Sequence, residues 1–163
     1  MCHKMSKVVN ECVAESTVAV SGVLMGRHDY ALDPKKRLTI PSEWRAAMGN
    51  VVYVMADRKE RCLNLYSKEE MDVFLNQLRQ KALLDPALNK VFAKIGAVSQ
   101  QLSLDVQGRI RICDKLLRFA NLTTTVAMVG SVRMLKLYDP VVLGPEDEVD
   151  VDELDALLTA AGL

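Results

Sequence analysis

Two stretches of this chain place a carboxylate and a guanidinium at the same spacing. Leu32-Asp33-Pro34-Lys35-Lys36-Arg37-Leu38-Thr39-Ile40 and Leu104-Asp105-Val106-Gln107-Gly108-Arg109-Ile110-Arg111-Ile112 share the frame Leu-Asp-x-x-x-Arg-[Leu/Ile]-x-Ile at an offset of 72 residues. An aspartate opening a β-turn accepts hydrogen bonds from backbone N–H groups two residues on, and Pro34 pre-sets φ at the next position. From spacing alone, Arg37 and Arg109 are solvated turn cations or ion-pair partners of the nearby aspartates. Gly108 supplies a positive φ without steric cost. Lys36 holds the same place in the first copy, so that turn is either strained or of a different type. After each turn, Leu38 and Ile40, like Ile110 and Ile112, point to one side, and Thr39 and Arg111 to the other.

Other chemistry is sparse. The chain has two histidines. His3 beside Cys2 at a terminus makes a poor metal site, and His28, on the apolar-facing set of its segment, reads as a buried or rim side chain. There is no Gly-rich phosphate loop, no His-Glu-x-x-His and no Gly-x-Ser-x-Gly. Catalysis, a metal, a cofactor or a small-molecule ligand is therefore not expected. Cysteines at 2, 12, 62 and 113 have no paired spacing, which suits reduced thiols in a cytosol. No apolar run approaches the length of a membrane span, and the N-terminal apolar patch, interrupted by Glu15, makes a poor signal peptide.

The elements that must position the two turns follow from periodicity. The echo continues past the turns: Val52-Tyr53-Val54-Met55 answers Val126-Ala127-Met128-Val129, and Leu63-Asn64-Leu65-Tyr66 answers Leu135-Lys136-Leu137-Tyr138. One supersecondary unit is present twice, too few copies for a solenoid, so a pseudo-symmetric pair sharing one core is expected. Each unit reads as strand, turn, strand, short helix, hairpin, helix. In the first, a strand over Gly26–Leu32 precedes the turn, Ser42 caps a helix over Glu43–Met48, and strands follow at Val51–Met55 and Arg61–Tyr66. Ser67-Lys68-Glu69-Glu70 is a capping box opening a helix with Met71, Phe74, Leu75, Leu78 and Ala82 on one face. Asp85-Pro86 stops it and starts another, which Gly96 closes. In the second unit, Asp114 caps the short helix and Gly130-Ser131 turns the last hairpin.

Lys+Arg and Asp+Glu both number 21, and half of the 163 residues are hydrophobic against 5% aromatic. Zero net charge argues against a generic nucleic-acid binder, whose affinity comes from neutralising phosphates. The average conceals segregation. Arg27, Lys35, Lys36, Arg37, Arg45, Arg109, Arg111 and Arg118 surround the two motifs, whereas Glu146, Asp147, Glu148, Asp150, Asp152, Glu153 and Asp155 fall in one tail. Gly144-Pro145 breaks the chain before that tail, where Leu154, Leu157 and Leu158 would share a helix face.

The doubled Asp-x-x-x-Arg, each followed by an apolar strand and a short helix, resembles the MraZ family of bacterial transcriptional regulators, tandem relatives of the AbrB, MazE and SpoVT DNA-binding domains. So do Asp105-Val106-Gln107-Gly108-Arg109-Ile110-Arg111-Ile112 and Met128-Val129-Gly130-Ser131-Val132-Arg133-Met134-Leu135-Lys136-Leu137-Tyr138-Asp139. The likeness runs from about Gly22 to Pro140; Lys36 departs from the family's usual glycine, and Cys113 from its usual apolar residue or proline. It implies an α+β fold, mainly β in its core, built as a tandem pseudo-twofold swapped-hairpin β-barrel with short helices. Residues 22–70 and 97–142 would be the repeats, 71–96 connecting helices, 1–21 a poorly ordered extension and 143–163 an acidic tail. The implied function is sequence-specific binding of double-stranded DNA at promoter direct repeats, as a ring-like homo-oligomer repressing the division and cell-wall gene cluster. A cytoplasmic, nucleoid-associated bacterial protein is expected. Carried over by position, Lys35, Lys36, Arg37, Arg109 and Arg111 are the candidate DNA contacts, and Asp33, Asp105 and Gly108 shape the turns. An antitoxin-like protein-interaction scaffold on the same fold, without DNA binding, is the alternative.

Overall fold

The structure is a computed structural model and describes residues 23–145 and 150–163. The expectations for the N-terminal extension, including Cys2, His3 and Cys12, lie outside the described residues, as does the start of the tail at 146–149. The fold is α+β around an antiparallel β core. In chain order the elements are β1 (Arg27–Ala31), β2 (Arg37–Thr39), α1 (Ser42–Met48), β3 (Val51–Asp57), β4 (Cys62–Ser67) and α2 (Lys68–Leu84). A 3-10 turn (Pro86–Leu88) leads to α3 (Asn89–Val98), β5 (Ser99–Ser103), β6 (Arg109–Arg111), α4 (Asp114–Phe119), β7 (Thr125–Ser131), β8 (Met134–Tyr138), α5 (Pro140–Leu143) and α6 (Val151–Ala160).

Six strands form one sheet in the order β1-β7-β8-β4-β3-β5, and β2 pairs with β6 in a separate two-stranded ribbon. Exchanging each strand of the first half for its counterpart in the second reverses that order onto itself. The registers agree: Leu38 faces Ile110 at the middle of the ribbon, and Asn64 faces Lys136 across β4 and β8. Both pairs differ by the 72 residues of the sequence echo. Each half's first strand pairs with the other half's third, β1 with β7 and β5 with β3. Neither half can satisfy its edges alone, so the halves fold onto one core.

Period-two patterning explains that core. Leu38, Ile40, Ile110 and Ile112 on the ribbon side meet Val52, Val54, Leu63, Leu65, Val126, Met128, Leu135 and Leu137 on the sheet, all at most 1% exposed. Trp44 and Met48 of α1 and Leu116 and Leu117 of α4 close the ends of this layer. The other face of β4 and β8 is polar. Lys136 Nζ lies 2.8 Å from Glu60 and 3.9 Å from Asp57, and Asn64 donates to Asp57 at 3.3 Å. Burial pushes the Cys62 thiol in this group up to about 11, so it is an inert packing group rather than a nucleophile.

Several local signals are realised. Ser67 accepts from the Glu70 N–H at 3.2 Å, the first half of the capping box. Asp85 ends α2 and its side chain accepts from Ala87 N–H. Three expectations are corrected. The α1 and α4 N-caps are Pro41 and Cys113, neither with a side-chain cap bond; Ser42 and Asp114 are already helical, and Asp114 pairs with Lys36 instead. Gly96 does not close its helix, because α3 continues through it to Val98 and passes directly into β5. The last hairpin turns at Val132-Arg133, with Val132 at φ 62°, and Gly130 is a strand residue opposite Leu135. The physical reason for glycine at 130 is close approach: a Cβ there would sit 2.6 Å from the Leu24 carbonyl carbon and the Met25 nitrogen. That backbone is held by reciprocal bonds between Leu24 and Val132 at 2.9 and 2.8 Å. Since a backbone cannot turn aside as a side chain does, Gly130→Ala should destabilise the fold by about 1–3 kcal/mol. Denaturant titration with an unchanged midpoint would show that the Leu24–Met25 segment yields freely.

Candidate nucleic-acid interface

The two motif turns are built alike. Asp33 Oδ1 accepts from Lys35 N–H (2.9 Å) and Arg37 N–H (2.8 Å), while Oδ2 accepts from Arg37 Nε at 2.6 Å. Asp105 repeats this with Gln107 N–H (2.9 Å), Arg109 N–H (2.9 Å) and Arg109 Nε (2.7 Å). Backbone bonds close each turn, Lys36 N–H to Asp33 O at 2.8 Å and Gly108 N–H to Asp105 O at 2.9 Å. Of the two readings open for the arginines, pairing with the aspartate is the one adopted. It occupies only Nε. Among the described residues the terminal amino groups of Arg37 and Arg109 make no hydrogen bond, and each guanidinium is thus held in one orientation with its outer edge available.

These bonds stabilise the charged carboxylates. The pKa values of Asp33 and Asp105 lie below the ordinary aspartate value, first through the backbone N–H groups of Arg37 and Arg109, and next through the paired guanidinium groups; partial desolvation opposes the shift. A depressed pKa means a contribution present above the unfolded-state value and lost as pH falls through the folded one. Both turns therefore keep their geometry across neutral pH and loosen only in acid.

The ribbon brings the motifs together. Arg37 faces Arg111, and Thr39 faces Arg109, on the surface opposite the buried Leu38–Ile110 pair. Lys35 and Lys36 extend the cationic surface from the first turn, and both are exposed. Lys36 sits at φ 57° and Gly108 at φ 75°, so the first turn has the left-handed geometry that lysine disfavours. Its ammonium is tied to Asp114 Oδ1 at 3.0 Å, an exposed pair of small worth. Lys36→Ala keeps the strain and loses the pair; Lys36→Gly relieves the strain. The glycine variant should therefore be more stable than the alanine variant by about 1 kcal/mol. Equal melting midpoints for the two would argue against strain in this turn.

Gly108 has a second reason to be glycine. The Arg45 guanidinium lies over it, with Cζ only 2.2 Å from where a Cβ would stand, and Arg45 Nε donates to Ile40 O at 2.8 Å. The helix of one half thus packs on the turn of the other, as Asp114 does on Lys36. Sequence reasoning counted Arg45 among the cations but missed this positioning role; the glycine–lysine difference between the motifs was the only hint. His28 is a rim residue, paired with Glu43 and edge-on to Trp44 at 4.9 Å. No group of His, Cys, Asp and Glu able to hold a metal occurs among the described residues.

The fold and the site define a class: an α+β protein with an antiparallel β core whose two halves jointly present a two-stranded cationic ribbon set by aspartate-anchored arginines. The family model described as "MraZ protein, putative antitoxin-like" matches residues 23–91. A protein of Mycoplasma mobile named "Transcriptional regulator MraZ" is 32% identical over 115 residues, covering 71% of this chain and 78% of that protein. Like-named proteins of Mesoplasma florum and Mycolicibacterium smegmatis are 27% and 26% identical, each over 72% of this chain and over 80% and 81% of their own lengths. The chain belongs to the MraZ family.

Proposed function

We propose that this protein is a transcriptional regulator that binds double-stranded DNA sequence-specifically through the β2–β6 ribbon. The observation that carries the reading is the ribbon itself: the half-buried Arg37 and Arg109 and the exposed Arg111 share one surface, with the Asp33 and Asp105 carboxylates fixing the first two. A two-stranded β-ribbon fits the major groove, and arginine's planar fork can grip O6 and N7 of guanine, or phosphate, with two bonds. Lys35 and Lys36 add phosphate contacts, and Gly108 lets Arg45 brace the second turn. The names of the relatives support the regulatory role.

The finer reading is a tandem AbrB-like swapped-hairpin barrel with repeats at 22–70 and 97–142, connecting helices over 71–96 and an acidic tail over 143–163. The exchange of first strands between the halves supports it. With zero net charge and a single ribbon per subunit, counterion release alone gives weak binding. A ring-like homo-oligomer presenting many identical ribbons to promoter direct repeats would gain avidity without new contact types. Repression of the division and cell-wall gene cluster, in the cytoplasm and on the nucleoid, completes the proposal. Among the described residues no helix is long and apolar enough to cross a membrane.

The test is a mobility shift with the protein's own upstream DNA across a salt series. A shift that weakens with salt and with deletion of a second DNA box is expected. Unaltered migration at low salt would instead favour the protein-interaction scaffold. That reading is suggested by the exposed Leu154, Leu157 and Leu158 of the acidic helix α6.

A further inference from the structure

The pseudo-twofold relates the two ends of the ribbon in backbone but not in charge. The short helices α1 and α4 begin 72 residues apart, at Ser42 and Asp114, and each is followed by a left-handed residue, Gly49 at φ 71° and Asn121 at φ 55°. Position by position, Glu43 answers Lys115 and Ala46 answers Arg118. On the ribbon and its turns, Thr39 answers Arg111 and Gly108 answers Lys36. One end therefore gathers Lys36, Arg111, Lys115 and Arg118. The matching places at the other end hold glycine, threonine, glutamate and alanine, and its Arg45 is folded inward onto Gly108 and Ile40 O.

Lys36, Arg111 and Arg118 gather round Asp114, and Lys115 is exposed on the same short helix as Arg118. Lys36, Asp114, Arg118, Asn121 and Thr123 line a shallow cavity of about 320 Å³ beside the first turn. The Asp114 carboxylate at its edge feels Lys36 most strongly, then Arg111 and Arg118, and its pKa is lowered accordingly. Asp114 offsets one of the four charges, and the Asp139 carboxylate is held beside the cavity by Asn121 Nδ2 at 2.7 Å. Arg111, Lys115 and Arg118 are exposed, and among the described residues their side chains make no hydrogen bond.

We infer that this end of the ribbon, from Arg111 across the Lys36 turn to Lys115 and Arg118 of α4, carries the phosphodiester backbone of DNA, whereas the pseudo-equivalent end does not. The inference rests on the DNA-binding reading above and adds to it a polarity. A twofold ribbon with equal ends would sit on DNA equally well in either orientation. A phosphate track at one end alone gives each subunit a single orientation, which suits repeats running in the same direction rather than a palindrome.

The test compares full-length variants by the salt dependence of binding to the protein's own upstream DNA and to an unrelated duplex of equal length. Lys115→Ala/Arg118→Ala removes two exposed cations from α4. The slope of log affinity against log salt should become shallower by about 1 for each residue on both duplexes, since phosphate contacts do not read sequence. Lys90→Ala/Lys94→Ala makes the same charge change on α3 and should leave the slope unaltered. Ala46→Arg places a cation at the position matching Arg118 and should also leave it unaltered. An unchanged slope in the Lys115/Arg118 variant, with wild-type protein binding normally, would overturn the inference while leaving the ribbon reading intact. Equal loss in the α3 control would reduce the effect to net charge, and a steeper slope in Ala46→Arg would show phosphate at both ends; either result overturns it. Absence of binding by the wild type on both duplexes would remove the inference and the ribbon reading together.

Discussion

Arg37→Ala combined with Arg109→Ala should abolish specific binding to the upstream DNA while leaving the melting temperature nearly unchanged. The structural part of each motif is the aspartate turn, whose Oδ1 is bonded to backbone N–H groups that the substitution does not touch. The fold therefore loses only a partly exposed ion pair at each turn. The interface loses much more. A bidentate contact to a base is worth about 1–3 kcal/mol of discrimination, or roughly 5- to 150-fold for each arginine. The substitution also leaves Asp33 and Asp105 without their guanidinium partners, and two unpaired carboxylates on the ribbon would repel a polyanion. Arg37→Lys and Arg109→Lys keep the charge without the fork, so a base contact would fail to be rescued by lysine and a phosphate contact would largely be restored. Fluorescence anisotropy on labelled upstream DNA gives the affinities. Wild-type affinity in the double alanine variant would place the DNA on another surface.

Leu38→Ala should be the most damaging single substitution for stability. Leu38 is fully buried, faces Ile110 at the centre of the ribbon, and packs against the inner face of the six-stranded sheet. Removing a buried leucine to alanine costs about 2–5 kcal/mol, a large part of the 5–15 kcal/mol that usually separates folded from unfolded states. Because Leu38 and Ile110 touch across the pseudo-twofold, the double variant with Ile110→Ala should cost less than the sum of the singles, the two truncations sharing one cavity. Denaturant unfolding of the four proteins measures this cycle. A loss below about 1 kcal/mol for Leu38→Ala would mean that the ribbon is held by its hydrogen bonds rather than by the core.

The buried pattern that makes Leu38 costly is also what made much of the fold readable. Leu38, Ile40, Ile110 and Ile112 alternate with polar residues, and that period assigns faces without any knowledge of the partner. Local chemistry carried equally well: the Ser67 cap, the break at Asp85-Pro86 and the turn-shaping role of Asp33 and Asp105 depend on atoms within a few residues. The misread positions have the opposite character. Gly130 looked like a turn residue, and its reason lies in the backbone of Leu24 and Met25, more than a hundred positions away. Asp114 looked like a helix cap, and its carboxylate is instead occupied by Lys36 of the other half.

By itself, the amino-acid order determined that one unit occurs twice, that each copy places an aspartate and an arginine four residues apart at a turn, and that strands follow with one apolar face. The pairing of that arginine with its aspartate was decided by the folded turn. Period, spacing and turn chemistry are local properties, and they survive without a tertiary context. Only the folded chain decided that β2 lies beside β6, that the first strands are exchanged between the halves, and that Arg37 comes to face Arg111. Strand partners and register are set by which arrangement buries both apolar faces and satisfies both sets of edges at once, and that choice belongs to the two halves together. The same assembly brought Lys36, Arg111, Lys115 and Arg118 to one end of the ribbon, because residues spread over eighty positions become neighbours only when the halves close on a common core.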